Sequence, residues 1–220
     1  DSHDGICREM AHRAGVTVIS VDYRLAPEHP FPAAVDDAFA ALKWVAENAG
    51  SLGVDPARIS IGGDSAGGNL AVVAAMLAKE AGGPALVSQI LVYPVADLRM
   101  GHASHARLAE QLPIPQSTLR WFYDLYVPDK AQQTDWRVSP VLADPDRFID
   151  LPPALLITAG YDPLGDEGLE LGARIMAGGA EVESARYDGQ IHGFLTMGRL
   201  IAETDDAFDQ IAAFLRSHND

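Results

Sequence analysis

Apolar positions along the chain follow two periods. Short β-branched runs alternate with longer segments whose apolar residues recur every three to four positions, the pattern of parallel βα units. Five short runs predict strands: Val16–Val21, Ile59–Gly62, Gln89–Tyr93, Ala154–Thr158 and Val182–Tyr187. The first four are apolar on successive positions, as strands covered on both faces are. The last alternates with charged residues and suits a strand nearer a sheet edge. Between them the spacing predicts helices over Asp4–Ala14, Pro32–Ala49, Ala66–Ala81, Leu164–Met176 and Leu200–Leu215, several of them followed by a glycine stop. Ala66–Ala81 is Ala-rich with few charges and reads as a buried central helix. The expected fold class is α/β: a mostly parallel sheet of at least five strands flanked by helices.

The stretch 97–153 breaks this rhythm. It carries seven prolines, no obvious strand, and one aromatic helical segment, Ser117–Val127. An insertion of this size after a strand is expected to be a lid or a functional loop region within a single domain spanning 1–220.

Composition narrows the function. The chain has 220 residues, 48% hydrophobic and 21% charged, an ordinary globular balance. Its 16 basic against 31 acidic side chains give a net charge of −15, which repels phosphate backbones and anionic lipid, so nucleic acid is an unexpected partner. Cys7 is the sole cysteine, which excludes an internal disulfide and a Cys-rich zinc site. No apolar run approaches the roughly 18 residues of a membrane span. The chain starts Asp-Ser-His-Asp, with neither Met nor a signal-like segment, so the expectation is a cytoplasmic protein of which this is one piece.

One motif carries chemistry. Gly63-Asp64-Ser65-Ala66-Gly67 is a Gly-x-Ser-x-Gly that follows a predicted strand and opens a predicted helix, the context of a nucleophile elbow. Glycines two residues either side of the serine are expected because a tight turn crowds those positions. Ser65 would expose its hydroxyl at the strand's C-terminal end. The Ala66 N–H would lie in the first helical turn, where free donors and the helix dipole favour an oxyanion. A P-loop would need Gly-Lys-Ser/Thr, which is absent, and the dinucleotide pattern Gly-x-Gly-x-x-Gly does not fit this register.

A serine nucleophile needs a base and a group that orients the base. On an elbow of this kind the chain order is serine, acid, histidine. Of the histidines, His192 alone stands in a loop just beyond a late predicted strand, and Asp162 follows the preceding strand directly. Asp166 is the nearest rival acid, but it falls in a first helical turn, where a carboxylate is commonplace. Asp64 is a candidate pocket residue beside the nucleophile, with a purely structural role as the alternative. Trp121, Phe122 and Tyr126 are candidates to line an acyl pocket, against the plainer reading of helix packing. His102 and His105 suggest metal, but no companion ligands are visible near them in sequence, so they read as loop residues.

Four stretches together resemble the hormone-sensitive-lipase-like family of α/β-hydrolase carboxylesterases. They are Tyr23–Ala34 (YRLAPEHPFPAA), Gly63–Leu70 (GDSAGGNL), Asp162–Gly168 (DPLGDEG) and His192-Gly193-Phe194. The resemblance implies hydrolysis of short- to medium-chain carboxylic esters with no cofactor. It carries over Ser65 as nucleophile, His192 as general base and acid, and Asp162 as the orienting acid. Asn69 and the Tyr23–Ala34 stretch become braces of the nucleophile region. Two departures stand out. Gly165 occupies a position where relatives usually have Arg. The family's His-Gly-Gly-Gly loop, its first strands and its N-terminal cap are expected to precede Asp1, because the chain starts where that loop should end.

Rival readings are a non-catalytic small-molecule receptor on the same scaffold, an inactive remnant, and an amidase. Receptors of this type lose the catalytic histidine, and His192 is present. Relatives often pair through the last strand and helix, which makes Val182–Tyr187 and Leu200–Leu215 the expected interface of a homodimer.

Overall fold

A computed structural model describes residues 3–219. Four strands form one parallel sheet: β1 (Ser60–Asp64), β2 (Ser88–Val92), β3 (Ala154–Tyr161) and β4 (Val182–Ile191), neighbours in that order. The main helices are α1 (Asp4–Ala14), α2 (Ala33–Glu47), α3 (Ala49–Leu52), α4 (Ala66–Glu80), α5 (Ala103–Arg107), α6 (Gln116–Tyr126), α7 (Gly165–Ala177) and α8 (Glu203–Asn219). Side chains alternate between the two faces of the sheet and meet different helices. Leu91 and Leu156 join α4, α7 and α6 in one core cluster. Ile90, Val92, Leu155 and Ile157 join α1 and α8 in another. Helices on both faces explain why Ile90–Val92 of β2 and most of β3 are apolar on successive positions. The mixed composition of β4 follows from its place at the edge of the sheet.

The strand expected at Val16–Val21 is a correction. The segment is in no regular element and pairs with no strand among the described residues, and its side chains are half-exposed to exposed. It and β1 both border a groove of about 1390 Å³. A β-branched run has the local preference for extended backbone, but a strand also needs a ladder partner about 4.8 Å away. Among the described residues the sheet therefore has four strands rather than five.

The stretch 97–153 holds α5, α6 and three short 3-10 turns. Its buried residues Val127, Val138, Val141, Phe148 and Leu151 pack into the same cluster as α4. On α6 the buried face is Leu119, Tyr123 and the half-buried Tyr126, at spacings of four and three. Trp121 falls on the opposite side and Phe122 at the margin of the buried face; they are 59% and 46% exposed.

Candidate active site

Three points distant in sequence meet at the C-terminal ends of the strands. The first is the turn after β1. Ser65 adopts φ 56° and ψ −117°, a strained conformation for a residue with a Cβ. Its N–H bonds Val92 O at 2.9 Å and its carbonyl accepts from Val95 N at 3.1 Å, so the turn is pinned to β2. A Cβ on Gly63 would lie 2.3 Å from the Gly67 carbonyl, which makes glycine obligatory at position 63. Gly67 itself faces open space. The crowding expected on both sides of Ser65 is therefore real on one side only. On the other it moves one residue along, where a Cβ on Gly68 would meet Pro94 at 2.9 Å.

The second and third points are set by strand register. β3 and β4 pair regularly up to Ala159 with Tyr187, then shift so that Tyr161 stands opposite Ile191. The next residue on each strand is Asp162 and His192, which the shift places side by side. Gly160 permits it: a Cβ there would sit 2.1 Å from Asp188 O. Gly193, at φ 78°, then turns the chain away.

The three side chains form a continuous line. Asp162 Oδ2 lies 2.8 Å from His192 Nδ1, and His192 Nε2 lies 2.9 Å from Ser65 Oγ. Asp162 is 1% and His192 6% exposed. Asp162 Oδ1 also accepts from Leu164 N at 2.8 Å, which fixes the carboxylate. The Tyr93 ring packs on His192 with centroids 4.7 Å apart. Burial pushes the Tyr93 phenol well above its ordinary value, and the nearby Asp64 carboxylate adds to this, so the phenol stays protonated. Its O–H reaches toward Asp64 Oδ2 at 3.5 Å. Ala66, first residue of α4, has no intrahelical acceptor for its N–H.

A buried serine–histidine–aspartate line at the ends of parallel strands, with serine on a strained strand-to-helix turn, narrows the comparison to one group of proteins. A family model described as the alpha/beta hydrolase fold matches residues 1–196. The chain belongs to the α/β-hydrolase fold family. Within this family it falls in the hormone-sensitive-lipase-like branch. It is 39% identical over 218 residues to carboxylesterase NlhH of Mycobacterium tuberculosis, covering 98% of this chain and 68% of that one. It is 38% identical over 221 residues to ethyl acetate hydrolase of Pseudomonas putida, covering 99% and 68%. Among solved structures, the thermostable esterase of Pseudomonas putida ECU1011 superposes with a TM-score of 0.96 at 36% identity, covering all of this chain and 69% of that one. Carboxylesterase EstE1, cloned from a metagenomic library, gives 0.94 at 43% identity, covering 99% and 74%. The chain thus spans about two thirds of these hydrolases' length.

The structure does not bring every pocket candidate to the line of Ser65, His192 and Asp162. Asp64 borders the groove that reaches Ser65 and His192, together with Ala66, Ile6 and Leu195. Trp121, Phe122 and Tyr126 do not border it, and Tyr126 instead packs edge-on against Phe31 at 6.2 Å. Asn69 is buried and donates to Val95 O and Val138 O, both at 2.9 Å, tying α4 to the 97–153 stretch. Arg24 clasps Asp37 through its backbone and its guanidinium, which anchors the Tyr23–Ala34 stretch to α2.

Three residues that support the site carried no role in the sequence reading. Tyr93 is one. Glu167, fully buried, receives Ala96 N at 2.7 Å and Asp97 N at 3.2 Å on one oxygen, and contacts His105 Nε2 at 2.7 Å on the other. Burial raises its pKa, and His105 and the two amides offset this. Ser104 donates to Pro163 O at 2.6 Å, one residue beyond Asp162. The rival Asp166 faces away from His192 and accepts from Ser104 N at 2.8 Å. The signal for Glu167 lay in the spacing: it sits on the apolar face of α7 with Leu164, Gly168 and Leu171, where a charge needs a partner.

Proposed function

We propose that this chain is a serine carboxylesterase that hydrolyses short- to medium-chain esters through an acyl-enzyme on Ser65. The observation that carries the reading is the unbroken hydrogen-bonded line Ser65–His192–Asp162, buried at its far end and open to a groove at Ser65. Ser65 Oγ attacks the ester carbonyl while His192 Nε2 takes its proton. Asp162 holds the proton on Nδ1 and stabilises the imidazolium as it forms. The oxyanion receives the Ala66 N–H at the positive end of α4. His192 protonates the leaving alkoxide, then takes a proton from a water whose oxygen attacks the acyl carbon, and returns that proton to Ser65 Oγ as the acid departs.

The Asp64 carboxylate borders the groove and is available to a polar substrate group. No helix is long and apolar enough to cross a membrane among the described residues. The edge position of β4, beside α8, supports pairing of two copies along that side. Hydrolysis of p-nitrophenyl butyrate tests the reading. Ser65→Ala should abolish it, and activity unchanged in that variant would reject the assignment.

A further inference from the structure

Away from the reaction centre, His102, His105 and Glu167 each offer a donor atom within 4.8 Å of the other two. His105 and Glu167 are fully buried, and the His102 side chain is 15% exposed. Both imidazoles are held in the same manner. His105 Nε2 lies 2.7 Å from Glu167 Oε2, and His102 Nε2 lies 2.9 Å from Glu170 Oε2. On both rings Nδ1 is buried and has no hydrogen-bond partner. Asp97 Oδ2 lies 3.6 Å from His102 Nδ1, beyond hydrogen-bond reach, and is itself engaged by Arg99.

A buried histidine–carboxylate ion pair accounts for the Nε2 contacts. It does not account for the buried, unpartnered Nδ1 of His102, which would be an orphan N–H on an imidazolium. On His102 the Glu170 carboxylate on Nε2 and the free lone pair on Nδ1 match how metal-ligating histidines are oriented, while His105 presents Nε2 to the cluster beside Glu167.

We propose that His102, His105 and Glu167 form a structural site for a divalent cation of the zinc type. Two imidazoles and one carboxylate suit zinc rather than magnesium or calcium, which prefer all-oxygen shells. Ligands of tetrahedral zinc stand roughly 3.3 Å apart. The 2.7 Å His105–Glu167 contact must open slightly, and the widest separation of up to 4.8 Å must close by rotation of the less buried His102. None of the three residues borders the groove at Ser65, so the ion would not touch substrate. It would join α5 to α7 five residues beyond Asp162, beside the Ser104–Pro163 bond. Its effect is on stability.

The test uses the full chain stripped with chelator, then titrated with Co²⁺ for its ligand-field absorption and with Zn²⁺ for thermal stability. One equivalent of Co²⁺ should give the intense bands of a tetrahedral site. Zn²⁺ at about 100-fold above Kd should raise Tm by roughly 5–10 °C. His102→Ala, at the least buried ligand, should weaken binding at least about tenfold while p-nitrophenyl butyrate hydrolysis stays unchanged. Glu167→Gln should weaken it as well wherever that variant folds. The proposal is overturned if neither metal changes spectrum or Tm. It is equally overturned if binding survives His102→Ala and vanishes in His192→Ala, which would assign the ion to the reaction centre.

Discussion

Gly160 gives the sharpest handle on how the fold builds its reaction centre. An alanine Cβ there would sit 2.1 Å from Asp188 O and 2.7 Å from Asp188 Cα, whereas ordinary contact starts near 3.4 Å. Backbone on β4 cannot rotate out of the way, so the strands must part by about 1.3 Å at the shift that sets Asp162 beside His192. Overpacking of this kind costs roughly 1–3 kcal/mol, or about 2–12 °C in Tm for a chain of this size. Catalysis is the more sensitive reporter, because misplacing a catalytic group by about 1 Å costs roughly 10²-fold. Gly160→Ala should fold, melt earlier and lose about a hundredfold in kcat/KM on p-nitrophenyl butyrate at a temperature well below its Tm. Gly189→Ala is the control: it lies on the same stretch of β4, and a Cβ there meets nothing within 4 Å. It should stay within about twofold of the parent. If Gly160→Ala keeps full activity, strand register is not what aligns the acid with the histidine.

Other variants test separate parts of the account. Asp162→Asn preserves shape but removes the charge that fixes the His192 tautomer, so kcat should fall about 10⁴-fold with KM little changed; retention of kcat would point to another acid. Gly63→Ala should destabilise by about 3 kcal/mol or more, because its Cβ meets the Gly67 carbonyl, whereas Gly67→Ala should be tolerated; equal denaturation midpoints for the two would contradict the steric argument. The Arg24 side chain holds the Asp37 carboxyl down to about 2, so protonating it costs the folded state. The pair's contribution is complete above the ordinary carboxylate value and is lost as pH falls toward 2. The Tm gap between the parent and Asp37→Asn should be constant at neutral pH and close between about pH 4 and pH 2; a gap undiminished at the low end would refute it.

What was legible in the sequence was what local chemistry decides. Gly63 to Gly67 announces a turn between strand and helix, and the order Ser65, Asp162, His192 matches the ends of β1, β3 and β4 in chain order. What was not legible depends on neighbours distant in the chain. Val16–Val21 has strand composition, but strand pairing is a property of two segments. The register shift that brings Tyr161 opposite Ile191 leaves only glycines as a trace. Trp121 and Phe122 looked like pocket residues because aromatic content says nothing about which helix face turns inward; Leu119 and Tyr123 occupy that face. His102 and His105 looked companionless because their carboxylates come from α7, more than 60 residues away.

The central claim is that Ser65 is a nucleophile activated by His192, and covalent capture tests it most directly. The intact protein is treated with a fluorophosphonate ester and its mass and modified peptide are read. The account predicts one adduct per chain, on Ser65, absent in Ser65→Ala and formed at least about 10³-fold more slowly in His192→Ala. An adduct that persists in Ser65→Ala, or a rate indifferent to His192, would contradict it.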